Sequence, residues 1–560
     1  MNTRHYPYWP KRLTKSLTVP ETPLFDNLLV SARRYPEKSA LHFYGADFTY
    51  RQLLNDAEKL AGYLEQILHV KQGDRVLLFM QNSPQFLISF YAILRIRAVV
   101  VPINPMNTSN ELEFYIKDCG IRTGIIGHEL LDTVFPLLKD TSLDDLAVAA
   151  YSEYTLPEKT EVSLPKEAQM IQDRGEKIEG IHVWRDILEA DLSPGPFEGE
   201  CDDIAVLPYT SGTTGLPKGC IHTNRTVQAN AIGAVHWMNS TSDSVHLTSL
   251  PLFHVTGMLH SMHAPILAGS SMVMMTRWDR NTAASLMETK RCTHWVNIST
   301  MVIDFLANPN LDSYNISSLS SIAGGGAALP QAVGEKLLEK TGLRYVEGYG
   351  LSETISHTHF NPPDRPKMQC LGIPSFDVDA RIIDPATMKE LAAGVAGEIV
   401  VSGPQVFKGY FERPEETGQS FFERDGKRFF RTGDIGRFDE EGYYFMVDRV
   451  KRMINASGYK VWPTEVESFL YHHPAVEQAC VVGIPDPKRG ETVKAFIILK
   501  ENYPDTVKEE DIIEWAKEKM AAYKYPRVIE FRNSFPTTAS GKILWRKLQE
   551  EEGTKIGAVE

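Results

Sequence analysis

Three times in this chain an apolar run ends in a glycine-bearing loop: "DIAVLPYTSGTTG", "SSIAGGGAAL" and "RYVEGYGLSET". Short apolar runs bounded by such loops read as buried strands. In α/β folds the loops at strand ends carry the ligands. Amphipathic segments such as "TYRQLLNDAEKLAGYLEQIL" alternate with further short runs, "DRVLLFM" and "AVVVPIN". That alternation predicts an α/β architecture.

At 560 residues the chain needs more than one hydrophobic core. The α/β pattern runs from Pro23 to about Ile126 and resumes from Ile204; the polar, proline-bearing stretch between about Asp140 and Glu200 reads as a surface excursion. Beyond Pro374 the runs shorten and turn signals multiply, which predicts a small β-rich subdomain. In "FMVDRVKRMINASGYKVWPTEVESFL" a strand ends at Asp448-Arg449, and Pro463-Thr464 open a helix. The expected organisation is a large N-terminal domain over 1–447, built of α/β subdomains plus the β-rich one, then a hinge at 448 and a small α+β domain over 449–560.

The composition, 42% hydrophobic and 23% charged, is that of a globular protein. A net charge of −13 opposes non-specific attraction to nucleic acid, so no nucleic-acid partner is expected. Six widely spaced cysteines without a C-x-x-C pair suit reduced thiols in the cytoplasm. The N-terminal "MNTRHYPYWPKRL" lacks the apolar core of a signal peptide, and "FLISFYAIL" (Phe86 to Leu94) is too short to span a bilayer. Tyr6, Tyr8, Trp9, Lys11 and Arg12 suit either peripheral membrane contact or, as the favoured alternative, an arm packed on its own domain.

The stretch "YTSGTTGLPKGC", Tyr209 to Cys220, has the ingredients of a phosphate loop without the Walker spacing: counting from Gly212, Pro217 stands where the second glycine belongs and Gly219 where a hydroxyl should follow Lys218. Its backbone amides and hydroxyls can still turn toward one anion, with Lys218 adding a positive charge. Gly324 to Leu329, "GGGAAL", offers side-chain-free backbone for a flat purine. "EGYGLSET" supplies Tyr349 for stacking, Ser352 as a hydroxyl and Glu353 as a hard oxygen ligand for Mg2+. Asp434 in "RTGDIG" offers a carboxylate to a ribose.

Together with "DRVKRMINASGYKVWPTEVE" and "PTTASGKILWRKL", these motifs resemble, in order and from about Leu24 to Leu548, the adenylate-forming superfamily of acyl-CoA synthetases, peptide-synthetase adenylation domains and luciferases. The resemblance implies a two-step reaction with ATP, Mg2+ and coenzyme A. A carboxylate attacks the α-phosphate to give an acyl-adenylate and pyrophosphate, and the thiol of coenzyme A then takes the acyl group. It assigns Thr210 and Glu353 to Mg2+, and Ser211, Gly212, Thr213, Thr214, Gly215 and Lys218 to the pyrophosphate end. Gly326, Ala327, Glu347, Gly348 and Tyr349 surround the adenine, with Gly350 and Ser352 in the same run. Asp434 takes the ribose and Arg449 supports it. Lys542 matches the catalytic lysine that bridges the α-phosphate and the substrate carboxylate. Asp448 is the hinge of a mobile C-terminal domain that withdraws Lys542 and presents Gly458 to the pantetheine arm. A basic residue common in the turn after that hinge is Asn455 here, with Lys451 and Lys460 nearby.

Amino-acid-activating members carry an aspartate where "PLFHVTGML" has His254, so the expected substrate lacks an α-amine. His254 is placed beside the substrate carboxylate or as a gate for coenzyme A. The apolar, methionine-rich "VTGMLHSMHAPILAG" and "WVNISTMVIDFLA" suit an acyl-chain pocket or an ordinary core. His254, His260 and His263 lack a zinc spacing. The whole is most similar to bacterial fatty-acyl-CoA ligases, which implies a medium- or long-chain fatty acid. Met258 stands where some long-chain members place an aromatic gate, so aryl or branched acids stay open, as does a carrier-protein thiol acceptor. A homodimer is also left open.

Overall fold

A computed structural model describes residues 3–172, 178–210, 216–449, 452–456, 459–486, 490–500, 503, 507–537 and 543–557, with 449, 455, 459–460 and 553–557 described in backbone alone. Two mainly parallel sheets make up its larger part. The first has seven strands, in the order Ile181–Val183, Asp145–Ala149, Thr123–Gly127, Arg75–Phe79, Val99–Pro102, Ile204–Val206, His222–Thr223. The second has nine, running Ile373–Pro374, Ser356–Phe360, Val346–Leu351, Ser321–Gly325, His294–Asn297, Val245–Thr248, Ser271–Met274, Ser39–Phe43, Ala46–Thr49. Its centre is parallel and its edges are antiparallel.

Helices fill the space between the sheets. Leu41 and Phe43 of the nine-stranded sheet share one core with Val76 and Leu78 of the seven-stranded sheet and with the helix Pro84–Arg95. That helix starts because the Ser83 hydroxyl accepts the Phe86 N–H at 3.2 Å and proline occupies its first turn. It is buried along its whole length, which accounts for the all-round apolar "FLISFYAIL". Among the described residues no helix is long and apolar enough to cross a membrane. The helix Tyr50–Gln66 opens on a reciprocal cap, Thr49 N–H to Gln52 Oε1 at 2.8 Å and Gln52 N–H to Thr49 Oγ1 at 3.2 Å.

The stretch between Asp140 and Glu200 corrects its reading as a surface excursion. Asp145–Ala149 is a buried strand inside the seven-stranded sheet, Ile181–Val183 extends the sheet beside it, and Trp184 is 1% exposed. A five-residue strand buried on both faces shows no alternation, and polar flanks drowned its signal. The N-terminal arm lies on its own domain. Trp9 meets Trp237 and Phe376 edge-on at 5.0 and 5.3 Å, and Arg12 donates to the His236 and Trp237 carbonyls at 2.7 and 2.6 Å.

The β-rich part is an antiparallel five-stranded sheet of Asp379–Ile383, Gly397–Ser402, Phe421–Arg424, Lys427–Phe438 and Tyr444–Arg449. The C-terminal part is a second five-stranded sheet, Ile454–Ala456 to Val528–Phe531, with the helices Pro463–Leu470, Glu509–Lys519 and Trp545–Gly557. The α/β class, the β-rich unit and the α+β end agree with the sequence. Asp448 joins the last two: its backbone pairs with Ile435 in the β-rich sheet, and its carboxylate accepts the Thr464 N–H at the start of the helix Pro463–Leu470.

Candidate functional site

The strand Ile204–Val206 leads into Tyr209 and Thr210, and the chain returns at Lys218. The neck between them is closed by a Tyr209–Gly219 bridge, by the Thr210 N–H donating to the Lys218 carbonyl at 3.0 Å, and by the Lys218 N–H donating to Thr210 Oγ1 at 3.2 Å. Beneath it the Tyr209 hydroxyl donates to Asp118 at 2.6 Å, and Asp118 pairs with Arg413. Ser211, Gly212, Thr213, Thr214 and Gly215 lie outside the described residues.

The returning arm is paired to a segment of the β-rich part: Ile221 N–H to Gly409 carbonyl at 2.9 Å, Phe411 N–H to Gly219 carbonyl at 2.8 Å, with a Cys220–Tyr410 bridge between them. This pairing brings Tyr410 under Lys218, whose Nζ sits 4.3 Å from the ring centroid, within cation–π range. The Tyr410 hydroxyl donates to Glu353 Oε1 at 2.8 Å, and the Phe407 N–H donates to the Glu353 carbonyl at 2.8 Å. Tyr410 therefore joins the loop lysine to the acidic residue. Nothing in the spacing of "FKGYFERP" announced it, because the contact exists only once the two strands pair.

Glu353 stands in a one-turn helix, Ser352–Thr354, at the end of the strand Val346–Leu351. The next two residues, Ile355 and Ser356, have φ of 44° and 92°. Positive φ is costly for a β-branched isoleucine, and such strain is held where the surroundings over-determine it. Here Asn230 donates to the Thr354 and Ile355 carbonyls at 3.1 and 2.9 Å, and His222 Nε2 meets the Ser352 carbonyl at 2.7 Å. Sequence reasoning missed both residues. Burial pushes the Glu353 carboxyl above its ordinary range; Asp434 adds to this, whereas Tyr410 and Lys218 oppose it.

The preceding strand places Glu347, Gly348, Tyr349 and Gly350. The Tyr349 hydroxyl donates to Asp434 at 2.7 Å, tying the nine-stranded sheet to the β-rich one. Asp434 is opposite Arg449 in the pairing of Lys427–Phe438 with Tyr444–Arg449. Glu347 is 5% exposed and turned to backbone, its two oxygens accepting the Leu329 and Cys370 N–H groups at 3.0 and 3.2 Å. It thus pins the loop that contains Gly326 and Ala327. Burial pushes its carboxyl up to about 7.

The run "GGGAAL" divides. A Cβ at Gly324 would collide with Tyr345 and Asn297, and one at Gly325 would sit 2.5 Å from the Gly348 carbonyl, so these two glycines serve close strand packing. Gly326 alone has φ +81° and nothing within 4 Å of a Cβ. Only the third glycine offers open backbone.

His254 is exposed and heads the helix Val255–Met258, its Nδ1 accepting the Thr256 N–H at 3.4 Å. Met258 and Met262 behind it are fully buried in the core, the ordinary-core alternative for that methionine-rich stretch. Lys451, Gly458 and Lys542 lie outside the described residues, and Arg449 and Lys460 are described in backbone alone. The segment containing Lys542 is flanked by a Thr537–Ile543 bridge.

Residues 28–411 match the AMP-binding enzyme family and residues 465–542 match the AMP-binding enzyme C-terminal domain. A long-chain-fatty-acid–CoA ligase of Bacillus subtilis is 37% identical over 555 residues, covering 97% of each chain. A feruloyl-CoA synthase of Amycolatopsis is 32% identical over 519 residues, 92% of this chain and 96% of that one. Among solved structures, ATP-bound MatB from Rhodopseudomonas palustris superposes with a TM-score of 0.81 at 26% identity, covering 95% of this chain and 99% of the other. The chain belongs to the AMP-binding enzyme family, as an AMP-forming acyl-CoA ligase of the adenylate-forming superfamily.

Proposed function

We propose that the chain joins a medium- or long-chain fatty acid to coenzyme A through an acyl-adenylate, releasing pyrophosphate and then AMP. The meeting of Lys218, Tyr410 and Glu353 at the strand ends carries this reading, because a cation and a hard oxygen ligand stand together where the loop opens. Charge neutralisation is what attack on a phosphate anion most needs.

In this reading Lys218 and the amides and hydroxyls of Ser211 to Gly215 hold the pyrophosphate end. Tyr349, Gly348, Gly350, Ser352, Gly326 and Ala327 border the purine, Glu347 pins their loop, and Asp434 with Arg449 holds the ribose. Thr210 Oγ1 and the Glu353 carboxylate would hold Mg2+. Their donor set, one hydroxyl and one carboxylate, fits Mg2+, a hard cation that takes one or two carboxylates plus substrate phosphates. The ion supplies neutralisation of phosphate charge. Lys542 bridges the acid and the α-phosphate in the first step. In the second, after rotation at Asp448, Gly458 approaches the pantetheine arm with Lys451 and Lys460 nearby. Exposed His254 lies beside the substrate carboxylate or gates coenzyme A. The setting is the cytoplasm.

An aryl or branched acid is the second reading, favoured by methionine rather than an aromatic gate at position 258. Pyrophosphate release from short- to long-chain fatty acids and aryl acids, with MgATP and coenzyme A, tests both. Turnover of fatty acids above aryl acids supports the first; no turnover of any overturns the substrate assignment.

A further inference from the structure

The seven-stranded sheet reaches the His254 loop through one side chain. The strand Arg75–Phe79 ends at a corner, Gln81-Asn82-Ser83, that precedes the buried helix Pro84–Arg95. This corner is fixed on both sides: the Gln81 N–H donates to the Tyr151 hydroxyl at 2.8 Å, that hydroxyl donates to Glu129 at 2.7 Å, and Ser83 caps the helix. Between them Asn82 is 4% exposed. Its amide serves the nine-stranded sheet: Nδ2 donates to the Leu250 and Met275 carbonyls at 2.9 and 3.2 Å, and Oδ1 accepts the Leu252 N–H at 2.8 Å. Leu250 follows the strand Val245–Thr248, and Met275 follows Ser271–Met274. Three bonds thus gather the carboxyl ends of three strands from two sheets, the end at which α/β folds bind their ligands.

Two carbonyls and one N–H facing the same buried point require two donors and one acceptor, which a side-chain amide supplies. A carboxylate would face both carbonyls as an acceptor, and an apolar side chain would leave all three groups unpaired. The loop so held runs directly into His254. The His254 N–H donates to the Pro251 carbonyl at 3.2 Å, and the His254 carbonyl accepts the Met258 N–H at 2.9 Å. A Cβ on Gly257 would meet the Pro251 carbonyl at 2.2 Å, so the loop lies tight against the helix Val255–Met258. Leu252, Val255 and Met258 share their core with Ile355, the residue at φ 44° that follows the Glu353 turn. That turn is held separately, by Asn230 and His222.

We infer that Asn82 is a positioning residue of the ligation reaction: it ties the loop Leu250–Leu252 to the opposite sheet and thereby sets where His254 stands relative to Glu353. The inference rests on the acyl-CoA ligase reading, in which His254 lies beside the substrate carboxylate or gates coenzyme A, and it adds a residue that touches neither substrate. Loss of the amide frees the loop and displaces His254, while the Lys218, Tyr410 and Glu353 contacts, anchored by other bonds, stay in place.

The test is a double-mutant cycle of Asn82→Ala with His254→Ala, read separately in adenylate formation from a fatty acid and MgATP and in thioester formation from pre-made adenylate and coenzyme A. Asn82→Ala is expected to slow the half-reaction that His254→Ala slows by roughly tenfold to a hundredfold, the scale of a small misplacement, with little change in the KM for ATP. The double variant should be no slower than His254→Ala alone, because residues that act through one another are not additive. Asn82→Ser, whose hydroxyl can keep one of the three bonds, carries the same cycle if the alanine variant fails to fold. Multiplied effects in the double variant, a rise in the KM for ATP as large as the loss of rate, wild-type rates for the Asn82 variants, or slowing of a half-reaction that His254→Ala leaves untouched overturns the inference alone. Wild-type rates for His254→Ala in both half-reactions overturn it together with the role given to His254.

Discussion

The carboxylate of Asp448 accepts the Thr464 N–H at 2.7 Å, while the Asp448 backbone remains paired to Ile435 of the β-rich sheet. One residue thus belongs to the larger part by its main chain and caps a C-terminal helix by its side chain. Such a cap is worth about 1 kcal/mol. Asp448→Ala is expected to loosen the C-terminal part by that amount and to change the adenylate-forming and thioester-forming rates unequally. Asp448→Pro should trap one arrangement. Single-turnover assays of each half-reaction decide; wild-type rates in both would remove the hinge role.

Tyr410 offers separable functions. Tyr410→Phe keeps the ring under Lys218 and deletes the donation to Glu353, so the Mg2+ concentration for half-maximal activity should rise while the KM for ATP changes little. Tyr410→Leu also loses the cation–π contact, about 0.5–2 kcal/mol, and should raise the KM for ATP several-fold. Equal effects of both variants on both constants would argue for a structural role alone.

Lys542→Ala is expected to abolish acyl-adenylate formation and to spare thioester formation from pre-made adenylate. Loss of both in equal measure counts against its assigned place in the first step.

Buried imidazoles predict acid sensitivity. Burial lowers His222 and His260 to about 4, and His263 and His359 to about 3. An imidazole with a depressed folded pKa contributes stability that is present above the unfolded value of 6.5 and lost as pH falls toward the folded one, at about 1.4 kcal/mol per pH unit. Glu347, raised to about 7 from 4.5, runs the other way, its contribution lost as pH rises through about 7. Burial raises Glu129 to about 7 as well, but four imidazoles outweigh two carboxyls, so the thermal midpoint should fall steadily from about pH 6.5 to about pH 5. His263→Gln should make that fall shallower; an unchanged slope would show that His263 is not one of the responsible groups.

The local chemistry was legible in the chain itself. Apolar runs ending in glycine and hydroxyl loops specified strands and ligand-bearing turns, because strand burial and loop conformation depend on neighbours in sequence. Lys218, Glu353, Tyr349 and Asp434 could be named as candidates from such loops, and Thr210 from the family resemblance. Only the folded chain could say which of them meet. Tyr410 reaches Lys218 and Glu353 because Cys220 pairs across from it, and Tyr349 reaches Asp434 because two sheets abut. Gly324 and Gly325 serve strand packing where Gly326 is open. These contacts span scores to hundreds of residues. Their energies come from side chains that share no local pattern, so tertiary packing alone decides them.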